Sequence, residues 1–290
     1  MHPFQYVPAA SIEEAVATLS RFGPRARCLA GGTDVLVQAR GGRFDLDALV
    51  DVKGIPEMMD VRLDGDGLYV GAAAPCYRIY EDTAIVAAYP GVADAASLIG
   101  GIQIQSRASL GGNLCNASPS ADGICPLIVH SATADIVGTG GRRSVPVEGF
   151  CTGPGRNVLA PGEILVGIRL PAPPKGFGAA YQRFIPRNEM DIAVVGVASA
   201  VTIGKSGKIE SARIALAAVG PTPLTASDAA ASLVGQEPNT ASFTAAGELA
   251  ARVATPIDDM RGTVAQRRHL VEVLTRRTLA VAVQRARENG

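Results

Sequence analysis

The chain has 290 residues, with 27 Lys+Arg balanced by 27 Asp+Glu, 47% hydrophobic residues, 33 glycines, 19 prolines, no tryptophan and 4% aromatics. That length suits about two domains of roughly 150 residues and excludes a disulfide mini-protein or a peptide-like adaptor. Zero net charge leaves no long-range field for a polyanion, so nucleic acid is not an expected partner, while glycine at about 11%, against a usual ~7%, points to many tight turns.

In chain order, Ser11-Ile12-Glu13-Glu14-Ala15 is a capping-box pattern, and Ile12, Ala15, Val16 and Leu19 recur at helical spacing, predicting a helix over about 12–22. Arg27 to Ala30 reads as a short buried strand running into Gly31-Gly32-Thr33-Asp34, with a helix restarting over Val35 to Ala39. Ala48 to Val52 and Leu68 to Ala72 are further strands, with Asp64-Gly65-Asp66-Gly67 between them as a hairpin-type turn. Residues 75–100 carry a helical pattern, Ile102 to Asn116 is rich in Gly, Ser and Asn, and Asp135 to Val137 and Ile164 to Leu170 read as strands. Pro171-Ala172-Pro173-Pro174-Lys175-Gly176 is the clearest linker, because proline fixes φ and cannot sustain a ladder. Beyond it, Ala180 to Phe184, Asp191 to Ile203 and Lys208 to Val219 are expected to form one antiparallel sheet, followed by helices near 225–233, 241–253 and 263–287. The last helix places Leu270, Val273, Leu274 and Val281 on one face and Arg267, Arg276 and Arg287 elsewhere, on a solvated outer face or one that docks a partner.

No run approaches the roughly 18–20 apolar residues of a membrane-spanning helix, and Met1-His2-Pro3-Phe4-Gln5 lacks the pattern of a secretory signal. Five cysteines, Cys28, Cys76, Cys115, Cys125 and Cys151, are scattered without a CxxC spacing. Free thiols in the cytoplasm are therefore expected, rather than a disulfide framework or a zinc site. His130 sits in an apolar run and reads as a core residue, His269 as a helix-face residue and His2 as terminal. No Ser/His/Asp set, carboxylate pair or HExxH appears, so no catalytic acid or base is assigned.

Two segments carry the functional signal: Ala30-Gly31-Gly32-Thr33-Asp34-Val35, and Ser109-Leu110-Gly111-Gly112-Asn113 with Asn116 to Pro119 and Asp122 downstream. Paired glycines let the main chain approach a ligand and present successive N–H groups to an anion, and a diphosphate is the natural guest. Either Gly-Gly alone could be only a tight turn. Neither fits GxGxxG or GxxxxGK[ST], so a Rossmann site and a Walker loop are unsupported.

These segments, in this order with Gln103 to Arg107, Glu163-Ile164-Leu165, and Tyr181 followed by Arg187 to Ala193, resemble the FAD-binding medium subunit of the molybdenum hydroxylases, the family of carbon monoxide dehydrogenase and xanthine dehydrogenase flavoproteins. The resemblance covers essentially the whole chain. It implies an α+β fold, with a two-part FAD-binding region of the vanillyl-alcohol-oxidase type over 1–174, subdivided near 55–60, and a smaller α+β domain over 175–290. It implies that Leu29 to Val35 and Ser109, Gly111, Gly112 and Asn113 surround the FAD diphosphate, that Asp122 binds a polar group of the adenosine, and that Ile99 and Leu165 pack on the cofactor. Ser118 either contacts the cofactor or caps a turn before Pro119. Arg183 stands where many relatives have Lys, and is either a cation beside the flavin or a salt-bridged strand residue.

The resemblance further implies non-covalent FAD and no metal in this chain. One branch of the family adds an iron–sulfur cluster to its flavin subunit, but no Cys-rich insertion follows Cys115 here, so none is expected. The implied partners are a large molybdopterin-binding subunit and a small [2Fe-2S] subunit, in a dimer of heterotrimers, with electrons passing through the clusters to FAD and on to an external acceptor. A stand-alone flavoenzyme of the same fold and a non-flavin scaffold protein are the alternatives.

Overall fold

The computed structural model of the chain describes residues 3–187 and 189–290, so His2 and Asn188 lie outside the described residues. Local caps start the first helix as the residue types require. Ser11 Oγ accepts from the Glu14 N–H at 3.2 Å, and the Glu14 carboxylate accepts from the Ala10 N–H at 2.9 Å, one residue earlier than an ordinary capping box. The helix spans Ile12–Phe22 and buries Ile12, Ala15, Val16 and Leu19 against a three-stranded parallel sheet ordered Gln5–Pro8, Ala48–Asp51, Ala26–Leu29.

The second sheet has five antiparallel strands in the order Val61–Asp64, Gly67–Gly71, Ile164–Pro171, Thr133–Gly138, Gly141–Pro146. The turn at Asp64 to Gly67 therefore closes a hairpin whose first arm is Val61–Asp64. Ala48–Asp51 belongs to the other sheet, contrary to the expectation that the turn lay simply between it and the strand at Leu68. The true first arm is mostly exposed and carries no apolar run, which hid it in the sequence. Residues 75–100 make three short helices, Tyr77–Tyr80, Thr83–Ala88 and Pro90–Ala96. Asp82 caps the second, accepting from the Ala84 and Ile85 N–H groups, and Pro90 opens the third.

The chain leaves this sheet at Pro171 and enters a four-stranded antiparallel sheet of Phe177–Phe184, Val195–Ile203, Ile209–Ala217 and Leu224–Thr225. Helices Ser227–Ala231, Thr240–Val253 and Val264–Glu288 follow. The strand expected from Asp191 begins only at Val195, because Met190 takes a φ of +53° and Asp191 Oδ1 accepts from the Ile192 N–H at 2.8 Å. Arg267 also departs from expectation, since its head is buried. It donates to the Val194 and Ala218 carbonyls and to Asp259. The buried stripe of the last helix runs instead through Val271, Leu274, Thr275, Thr278, Leu279, Ala282, Val283 and Ala286.

One large core lies around the five-stranded sheet and its helices, and a second lies between the four-stranded sheet and the C-terminal helices. Among the described residues, no helix is long and apolar enough to cross a membrane. The architecture is α+β, with an antiparallel C-terminal sheet, as the sequence predicts.

Candidate cofactor site

A cavity of about 780 Å³ opens where the parallel sheet meets the five-stranded sheet, within the roughly 300–1,000 Å³ range of cofactor pockets. Both glycine segments line it. Ala30, Gly31, Gly32, Thr33, Asp34 and Val35 form one wall, and Ser109, Gly111, Gly112 and Asn113 another. The first segment is a loop leading from strand Ala26–Leu29 into helix Val35–Arg40, whose N-cap Asp34 makes no side-chain cap. Among the described residues, the main-chain N–H groups of Gly31, Gly32, Thr33 and Asp34 find no protein acceptor. A loop of unclaimed donors beside a cavity is what an anion needs.

The second segment is the opening of a helix, Leu110–Asn116, in which Ser109 Oγ accepts from the Gly112 N–H at 3.0 Å. Asn113 Oδ1 accepts from the Gly123 N–H at 3.0 Å, which leaves its amide NH₂ as the donor available on the cavity side. Gln38 Nε2 donates to Asn116 Oδ1 at 2.9 Å and fastens the two segments together.

The glycines serve the architecture as well as the opening. A Cβ at Gly31 would collide with the Arg107 carbonyl, and one at Gly111 with the Ala72 main chain. Their missing side chains thus let the two segments and the neighbouring strand end pack backbone against backbone. Gly32 is needed for a different reason, its φ of +77°.

Ile99 and Leu165 line the cavity with Met58 and Ala72, giving an apolar stretch. Glu163 also lines it, but its carboxylate is claimed by Arg143, at 2.7 and 2.6 Å, and by the Ala160 N–H. Burial raises the pKa of Asp34, with the Arg43 cation opposing.

Four of the sequence-predicted residues stand outside the lining. Leu29 lies behind the loop in a small core with Leu46 and Leu49. Ser118 Oγ accepts from the Ser120 N–H at 3.3 Å, the turn-capping alternative. Asp122 is buried and accepts from Tyr181 Oη at 2.7 Å and from Arg183 at 2.5 Å. Arg183 is thus the salt-bridged strand residue, its side chain only 5% exposed. Burial pushes the Asp122 carboxyl up to about 6, against the pull of Arg183 and Tyr181.

Sequence reasoning missed the cationic lining. Arg27, Arg43 and Arg156 all face the cavity, and among the described residues none has a carboxylate within salt-bridge distance. They stand 16 and 113 residues apart in the chain, so no local motif marks them. The five cysteines are free. Two of them, Cys28 and Cys115, line the cavity, and burial pushes the Cys28 thiol up to about 12. Among the described residues, no group of His, Cys, Asp or Glu is placed to hold a metal. The donor loop, unpaired cations and apolar stretch together fit an elongated anionic cofactor bearing flat rings.

Comparison with known proteins agrees. Residues 2–173 match the family described as FAD binding domain in molybdopterin dehydrogenase, and residues 179–282 match the CO dehydrogenase flavoprotein C-terminal domain. The chain is 32% identical to the xanthine dehydrogenase FAD-binding subunit of Escherichia coli O157:H7, over 97% of this chain and 96% of that one. It is 31% identical to the carbon monoxide dehydrogenase medium chain of Hydrogenophaga pseudoflava, over 96% of each. A solved structure of the carbon monoxide dehydrogenase of Hydrogenophaga pseudoflava superposes with a TM-score of 0.93, at 31% identity, over 98% of this chain and 99% of that one. The chain therefore belongs to the family of FAD-binding subunits of the molybdopterin dehydrogenases, the carbon monoxide dehydrogenase flavoproteins among them.

Proposed function

We propose that this chain is the FAD-carrying electron-transfer subunit of a molybdenum hydroxylase complex. In this reading it works beside a large molybdopterin subunit and a small [2Fe-2S] subunit, in a dimer of heterotrimers, taking electrons from substrate oxidation and passing them to an external acceptor. FAD, when bound, supplies the redox chemistry, and the protein supplies binding, orientation and electrostatics. The observation that carries the reading is the donor loop Gly31 to Asp34, whose N–H groups lack acceptors among the described residues, set in one cavity with Ser109 to Asn113.

Main-chain N–H groups of the Gly31 to Asp34 loop and the Asn113 amide would hold the diphosphate, and Ile99 and Leu165 would pack against the ring system. Leu29, Ser118, Asp122 and Arg183 act from behind: Leu29 supports the loop, Ser118 the turn, and the Asp122–Arg183 pair the Gly123 turn on which Asn113 rests. The chain divides into domains at 1–174 and 175–290, the first subdivided near 55–60, a division supported by the change of sheet between Pro171 and Phe177. The cytoplasm is the compartment that five free thiols suit.

The flavin is held non-covalently: among the described residues no histidine lines the cavity, and burial keeps the Cys28 and Cys115 thiols protonated. The chain is expected to purify with visible flavin absorbance and to release FAD, one per chain, on acid precipitation. A colourless protein that cannot be reconstituted would overturn the assignment, and flavin retained on the denatured polypeptide would overturn the non-covalent part. Turnover of an organic substrate by this chain alone would overturn the electron-transfer role.

A further inference from the structure

The cavity's cationic side contains a built aromatic–cation stack that no sequence motif marks. Arg27 and Phe44 both line the cavity. The Arg27 guanidinium carbon stands 4.7 Å from the Phe44 ring centroid, and its Nη1 donates to the Pro24 and Ala26 carbonyls, both at 2.7 Å. Phe44 is itself anchored against the small core of Leu29, Leu46 and Leu49. One face of the guanidinium is therefore backed by a ring, and one edge is pinned by two carbonyls. A planar cation fixed in this way on a cavity wall is a platform for a second flat ring.

Its position selects which ring. Arg27 lies on strand Ala26–Leu29, four residues before Gly31, so it stands up to ~13 Å back from the diphosphate loop at about 3.3 Å per residue. In the apolar stretch of the lining, Met58, Ala72 and Leu165 belong to the large core around the five-stranded sheet, with Ile99 packed against it, whereas Phe44 packs on the small core of Leu29, Leu46 and Leu49 beside the parallel sheet. A dinucleotide whose diphosphate sits at the glycine loop must send one ring system to each side. The apolar stretch suits the larger, methylated tricycle. The purine, with its electron-rich face, suits the guanidinium.

We propose that Arg27, backed by Phe44, is the adenine platform of the site, and that it makes the chain select the flavin dinucleotide over the mononucleotide. This rests on the FAD reading above and deepens it. Asp122 is buried against Tyr181 and Arg183 and stands outside the cavity lining.

The test is titration of the apo-protein with FAD, FMN and ADP, for the wild type and for Arg27→Ala, Arg27→Lys and Phe44→Leu. Arg27→Ala weakens FAD and ADP in parallel by about three- to thirtyfold, the range of a desolvated cation–π contact, and leaves FMN affinity unchanged. Arg27→Lys recovers little, because the ammonium is not planar. Phe44→Leu keeps the small core filled and gives a smaller loss confined to FAD and ADP, so it decides the matter should Arg27→Ala fail to fold. FAD and ADP affinities that stay at the wild-type level, or a loss shared equally by FMN, overturn the platform while leaving the FAD site intact. A wild-type chain that binds no FAD overturns the underlying reading instead.

Discussion

His130 is caught between two rings, with centroids 5.5 Å from Tyr89 and 5.1 Å from Phe177. Its Nε2 is buried without a hydrogen-bond partner among the described residues. Burial, with the Arg285 cation adding to it, lowers its pKa to about 3, so the folded protein keeps the imidazole neutral. An unfolded chain takes up that proton near pH 6.5. Between pH 6.5 and 3 the unfolded state therefore binds more protons, and stability is lost as the pH falls through this window. The loss is on the order of 2 kcal/mol by pH 5. His130→Phe keeps an aromatic ring and removes the proton site. Urea midpoints measured at pH 7.5, 6 and 5 should fall more steeply for the wild type than for the variant; parallel slopes would show that His130 does not titrate as argued. The core position was legible from the apolar run around residue 130. The sandwiching rings, 41 and 47 residues away in the chain, were not.

Element ends were readable where the signal is local. Ser11 announces itself, because the capping side chain and the N–H it satisfies lie within three residues, whereas the equally local Ser109 cap opens a helix whose Gly-Gly composition reads as a loop. Elements fixed by distant packing were harder to read. The long C-terminal helix looked like a Leu/Val-faced amphipathic helix with basic residues outward, yet it docks through Ala282 and Ala286 onto Gly178 of strand Phe177–Phe184. A Cβ at Gly178 would collide with the Ala282 carbonyl and the Ala286 main chain. The approach is thus set by small residues from elements about 100 residues apart, and Ala in a sequence carries little hydrophobic signal. Gly178→Ala should push helix and sheet apart and cost about 1–3 kcal/mol, the usual penalty of overpacking. Gly140→Ala, where nothing lies within 4 Å of the added carbon and φ is not positive, should fall within about ±0.5 kcal/mol, as surface substitutions do. Similar chemical-denaturation midpoints for the two variants would refute the close-packing account.

Across the whole molecule, the two halves are tied by acids of the first receiving donors from the second. Asp122 takes Tyr181 and Arg183, Glu148 takes Arg213 and Thr225, and Asp94 takes both terminal nitrogens of Arg285 together with the Tyr181 N–H. The glycine loops could be found by eye because each is contiguous. These ties join residues 59 to 191 apart, and charge alone does not say which of 27 acids meets which of 27 bases. The same physics explains why no local motif marks Arg27, Arg43 and Arg156 as cavity residues, and why Asp122 could not be named from the sequence as the partner of a salt-bridged Arg183.

Asp94 is the most connected of these acids. Its Oδ2 and Oδ1 accept from Arg285 at 2.7 and 2.9 Å, its Oδ2 also accepts from Tyr181 N at 3.0 Å, and the ion-pair side chains are only 27% and 24% exposed. Removing the carboxylate strands a partly buried guanidinium and a main-chain donor at once. The 3–5 kcal/mol typical of a fully buried pair is reduced by this partial exposure, so Asp94→Ala should cost about 2–3 kcal/mol. Glu57→Ala breaks the equally bidentate pair with Arg142, but there the side chains are 47% and 36% exposed. Screening and side-chain entropy leave such a surface pair worth about 1 kcal/mol or less. Urea unfolding of both variants at neutral pH, repeated at high salt, tests the distinction. The Asp94 effect should be the larger and should persist in salt, because the stranded guanidinium remains partly desolvated whatever the ionic strength. Equal shifts, or an Asp94 effect abolished by salt, would mean that the Asp94–Arg285 tie holds the two halves no more firmly than an exposed surface pair would.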